Sequence, residues 1–142
     1  MTTRAQLSVS AGHEPGHTQL MRAALEGQAE NVKKLLEGGA DVNEKDHEGR
    51  TALMFAATNM HSNVASTLLR YGADVNVTAN DGSTALLLAA SSGDDKTVRE
   101  LLKHGANRSA KLKDTGKTAM MLADEKGYGE IVRLLENAAT KI

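Results

Sequence analysis

The sequence predicts an all-α repeat solenoid of helix-turn-helix units joined by short β-hairpin-like tips. Three sets of residues predict it, and they share one period. Gly-x-Thr recurs at Gly16-His17-Thr18, Gly49-Arg50-Thr51, Gly82-Ser83-Thr84 and Gly116-Lys117-Thr118, the threonines lying 33, 33 and 34 residues apart. Gly-Ala recurs every 33 residues at Gly39-Ala40, Gly72-Ala73 and Gly105-Ala106. Paired leucines, Leu35-Leu36, Leu68-Leu69 and Leu101-Leu102, keep the same step. A unit of this size cannot bury its own apolar stripe and must stack on copies of itself.

Each unit reads in the same order. Thr18, Thr51, Thr84 and Thr118 stand where a hydroxyl can cap a helix by accepting an orphan backbone N–H. The first helix follows, with the small pairs Ala23-Ala24, Ala56-Ala57 and Ala89-Ala90 allowing close approach of its neighbours. Gly27, Gly93 and Gly127 supply a left-handed turn. Met60 takes that place in the second unit, where Asn59 is the expected left-handed residue. The second helix carries one buried stripe, Val32, Leu35 and Leu36, repeated as Val98, Leu101 and Leu102. Gly39, Gly72 and Gly105 end it, and Asp-Val-Asn turns lead to the next tip. Four repeats are expected, at about 13–45, 46–78, 79–112 and 113–142, after a tail at 1–12.

These residues resemble the ankyrin-repeat family, whose pattern is matched from Gly49-Arg-Thr-Ala-Leu-Met-Phe-Ala-Ala to Asn76 and in the other three units. The chain departs from it at the family's Pro, here Gln19, Ala52, Ala85 and Ala119, and at its His, here Met21, Met54, Leu87 and Met121. One extra residue enters before Gly116. Arg22 stands at the phase of Phe55, Leu88 and Leu122, and Asp124 and Glu136 replace Ala and Leu in the final unit. Charge on terminal faces stops further stacking, so a self-capped monomer is expected.

Composition narrows the function. With 17 Lys plus Arg against 18 Asp plus Glu, the formal charge is −1, which gives no basic footprint for nucleic acid and no polybasic membrane tether. The longest apolar run, Ala85 to Ala90, is far short of the ~20 residues that span a bilayer. No secretory signal opens the chain, and zero cysteines exclude disulfides, thiolate zinc sites and cysteine nucleophiles. A cytoplasmic protein is expected.

Two motifs suggest chemistry. His13-Glu14-Pro15-Gly16-His17 matches His-Glu-x-x-His, but a zinc hydrolase needs both imidazoles on one face of a helix. Pro15 and Gly16 oppose a helix there, and the register makes the segment a loop tip. Gly116-Lys117-Thr118 echoes a phosphate-binding loop, but position 111 is Lys where that loop needs Gly. No enzyme and no cofactor are expected.

Residues that vary between units at equal phase are free to recognise a partner. The resemblance implies that another protein docks in a concave face made of tips and first helices. Carried over position by position, it assigns the tip residues Glu14 and His17; His47, Glu48 and Arg50; Asn80, Asp81 and Ser83; and Asp114, Thr115 and Lys117. The first helices contribute Leu25, Glu26, Thr58, Asn59, Ser91, Ser92, Glu125 and Lys126, and Tyr71 and His104 join from the ends of second helices. Tyr71, as the only aromatic expected on that face, and Arg50 are the expected anchors. Charge is polarised along the stack, from Glu44, Asp46 and Glu48 to Lys111, Lys113 and Lys117, so a partner would be oriented by it. The expected function is an adaptor or inhibitor. An engineered scaffold without a physiological partner is the second reading, and Met60 and the extra residue before Gly116 count against it.

Overall fold

The computed structural model describes residues 18–140, with side chains to position 137. The 1–12 tail, Glu14, His17 and the His-Glu-x-x-His segment lie outside the described residues. Among the described residues there are eight helices: α1 Gln19–Glu26, α2 Ala29–Glu37, α3 Ala52–Thr58, α4 Ser62–Arg70, α5 Ala85–Ser92, α6 Asp95–Lys103, α7 Ala119–Glu125 and α8 Gly129–Thr140. They pack as four antiparallel pairs in two rows. The first helices α1, α3, α5 and α7 form one row, and α2, α4, α6 and α8 form the other.

All four threonines cap as the spacing predicts. Their Oγ1 atoms accept from the backbone N–H three residues on, at 3.1 Å for Thr18, 3.4 Å for Thr51, 3.2 Å for Thr84 and 3.3 Å for Thr118. The alanine pairs are buried between the rows, with Ala24, Ala56, Ala57, Ala89 and Ala90 fully covered. Val32, Val64, Val98, Leu68 and Leu101 are likewise fully buried and join the second helices to the core. Helices α2, α4 and α6 each close with a backbone bond from the Ala after the glycine back to the stripe leucine: Ala40 to Leu35, Ala73 to Leu68 and Ala106 to Leu101, each at 3.0 Å.

The left-handed residue of the α3–α4 turn is Met60, at φ 61°, and not Asn59, at φ −98°. Asn59 is committed elsewhere: its amide donates to the Leu25 carbonyl of the preceding repeat at 2.9 Å. That bond fixes Asn59 as the last residue before the turn and leaves the strained position to Met60.

The final unit shows what stacking does. Met21, Met54 and Leu87 are at most 2% exposed, whereas Met121 at the same phase is 51% exposed because no fifth repeat among the described residues covers it. Met121 is therefore not a core methionine. Asp124 and Glu136 are exposed on that end.

Candidate functional site

The tips are tight turns rather than paired strands, with one isolated antiparallel bridge, Lys111 to Thr118, among the described residues. In the first, Asp46 N–H donates to Arg50 O at 2.9 Å and Gly49 N–H to Asp46 O at 3.0 Å. In the second, Ala79 N–H donates to Ser83 O at 2.8 Å and Gly82 N–H to Ala79 O at 2.9 Å. The extra residue enlarges the third, where Leu112 N–H reaches Lys117 O at 3.0 Å. Neighbouring tips are joined through Asn80 N–H to Glu48 O at 2.9 Å and Lys113 N–H to Asp81 O at 3.0 Å.

Asp46 organises the first tip. Its side chain is almost wholly buried, and Oδ1 accepts from Glu48 N–H at 2.9 Å and Arg50 N–H at 2.8 Å. Arg50 Nε donates to Oδ2 at 2.8 Å, and the guanidinium lies 5.0 Å from the centre of the Phe55 ring. Burial by itself would raise the Asp46 pKa, but the bonds from Arg50 and Glu48 and the Arg50 charge outweigh it and hold the carboxyl below its ordinary range. Asp81 is held below its ordinary range chiefly by hydrogen bonds from the backbone and side chain of Ser83, and its Oδ1 accepts from Ser83 N–H at 2.9 Å.

Between these two tips and the first helices lies a concave pocket of about 530 Å³. Leu25, Met54, Phe55, Ala79 and Leu88 supply its apolar surface, and Glu48, Arg50, Thr58, Asn80, Asp81 and Ser83 its polar surface. The fold thus gathers seven of the residues expected from sequence, Leu25 among them. Ser83, only 6% exposed, contributes little free surface.

The remaining candidates are placed differently. Asn59 and Ser92 bond to carbonyls of the preceding first helix, Leu25 O and Thr58 O, both at 2.9 Å. Lys126 Nζ, at the same phase, reaches Ser91 O at 3.0 Å and Ser91 Oγ at 3.1 Å. These three join repeats along the row. Lys117 pairs with Glu125 at 2.6 Å, and Glu26 with Arg22 at 3.6 Å. His47 is exposed beside the pocket, its carbonyl accepting from Asn80, and Asp114 is exposed on the third tip. His104 caps α6 with Nδ1 2.9 Å from Glu100 O.

Tyr71 caps α4 and its hydroxyl donates to Glu37 Oε2 at 3.2 Å, in the row of second helices, so it does not line the pocket. The aromatic there is Phe55, which stands at the phase of Arg22 in the first repeat and was not among the residues expected on this face. Its equal-phase partner Leu88 lines the same pocket, and that shared phase is the signal that could have found both. The helical turn puts Ala56 and Ala57 into the packed interface and leaves this phase facing the tips.

Among the described residues no cluster of three or more His, Asp or Glu could hold a metal ion, and no helix is long and apolar enough to cross a membrane. The family model described as Ankyrin repeats (3 copies) matches residues 3–79 and 72–142. No curated protein matches the chain.

Proposed function

The chain belongs to the ankyrin-repeat family, whose repeats are generally protein–protein interaction modules, and on that premise we propose that it is an adaptor or inhibitor. It binds its partner protein as a monomer, without cofactor or catalysis, through the tips and first helices. The observation that carries this reading is the 530 Å³ pocket, because it combines an apolar floor with polar groups on fixed turns. The balanced charge of −1 favours a protein partner over nucleic acid or a membrane surface, and the lack of cysteine suits a cytoplasmic setting.

The test is capture of partners from the native source on immobilised wild-type chain and on a Thr58→Arg/Leu88→Arg variant. Thr58 is exposed and Leu88 half-buried, and circular dichroism of the variant checks that it folds. The expected result is a partner retained by wild type and lost by the variant, with affinity falling as salt rises. A partner retained equally by both would place binding elsewhere and overturn the reading.

A further inference from the structure

We propose that the pocket between the 46–50 and 79–83 tips selects the partner, taking an extended segment in which a large apolar side chain is separated by one residue from Lys or Arg. This rests on the reading that the partner docks on the tip face.

The chemistry follows from the lining. Half-buried Leu25 and Leu88, with the 7% of Phe55 left open between them, present carbon from three successive first helices, so the floor suits an apolar side chain. Around it stand the carboxylates of Glu48 and Asp81 and one guanidinium, Arg50. Arg50 is not a spare cation, because Asp46 holds it at 2.8 Å with a side chain only 1% exposed. The Asp46–Arg50 pair is neutral as a unit, and Glu48, 3.6 Å from Arg50, remains 68% exposed. Lys113 of the third tip packs along Gly82 but is not part of the lining. The rim is therefore anionic over an apolar floor, complementary to a cation beside a hydrophobe and repulsive to an acidic segment. In an extended chain, side chains i and i+2 share a face, which sets the spacing. The tip hydrogen bonds and the stacking of Arg50 over Phe55 fix the walls before a ligand arrives, which limits the ordering lost on binding.

The experiment selects phage-displayed random dodecapeptides on the full chain and counter-selects on Leu88→Arg and, independently, Thr58→Arg, each checked for folding by circular dichroism. Enriched peptides are expected to share a large apolar residue with Lys or Arg two positions away. A synthetic copy of such a peptide should bind about tenfold more weakly to the Glu48→Gln/Asp81→Asn variant, which preserves shape and removes charge. Peptides that need Leu88 and Thr58 but carry Asp or Glu, or that ignore the charge removal, overturn the proposed chemistry and leave the docking face standing. Peptides indifferent to both arginine substitutions overturn the face as well. Failure to enrich any peptide overturns the proposal that this pocket takes a linear segment.

Discussion

The ring of Tyr128 closes over Gly93 so tightly that a Cβ at position 93 would stand 2.9 Å from the ring's Cζ. His61 does the same one repeat pair earlier, where a Cβ on Gly27 would meet its Cε1 and Nδ1 at 2.7 Å. Its Nε2 lies 3.1 Å from Leu25 O, and since a carbonyl only accepts, that nitrogen carries the proton. Between them, the turn holds Met60 instead of glycine, and the residue at the phase of those rings is Asp94. Asp94 turns back to accept from Thr97 N–H at 3.2 Å and Thr97 Oγ1–H at 2.5 Å. Glycine in one repeat thus goes with a ring in the next, and methionine with a small carboxylate that bonds locally.

Gly93→Ala should destabilise the protein by about 2–3 kcal/mol, from the φ of +84° and the clash with Tyr128 together. In a Tyr128→Ala background the same change should lose only about 1–2 kcal/mol, the left-handed term alone. Urea unfolding of the four proteins checks this. Equal effects in both backgrounds would show that the ring does not restrict position 93.

Met60→Gly should stabilise by about 0.5–1 kcal/mol, because relief of left-handed strain exceeds the added freedom of the unfolded chain. Met60 is 51% exposed, so little packing is lost. A fall in the thermal midpoint would mean that the methionine side chain contributes more than its backbone strain removes.

Asp46 links the first tip to pH. Its pKa is lowered in the folded state, so its contribution is fully present above the ordinary carboxylate range and is lost as pH falls through the folded value. Asp46→Asn should be about 1–3 kcal/mol less stable at neutral pH, because Arg50 loses its buried anionic partner while keeping Glu48 at 3.6 Å and the Phe55 ring. It should also lose less stability than wild type between neutral and strongly acid pH. Parallel acid-unfolding curves would remove the assignment.

Asn76 joins two repeats from the back of the tips, its Oδ1 accepting from Asn107 N–H at 2.8 Å and its Nδ2 donating to Gly105 O at 3.2 Å. Asn43 repeats the arrangement with Asp74 N–H at 2.7 Å and Gly72 O at 3.5 Å. Asn76→Ala should lower stability by about 1–2 kcal/mol and speed amide exchange at Asn107. Unchanged exchange there would show that the bond is not held in solution.

Much of this was legible in the residues taken in order. Threonine caps, glycine-ended helices and the leucine stripe are local or periodic effects, set by backbone sterics and by helical spacing, so they appear as a repeat near 33 residues in the chain itself. What a polar residue does between repeats is not local. Asn59, Ser92 and Lys126 share a phase with surface residues, yet the stacking distance lets them bond across helices. Met121 shares a phase with buried methionines and is exposed because nothing among the described residues stacks on it. Phe55 became the aromatic of the pocket, and Tyr71 did not, because helix rotation turns one toward the tips and places the other at the end of a second helix. Short-range geometry along the chain sets the unit, its caps and its period. Which of the expected residues meet in the pocket, with Phe55 and Leu88 beside them, depends on stacking, since three first helices and two tips converge there from distant positions in the chain.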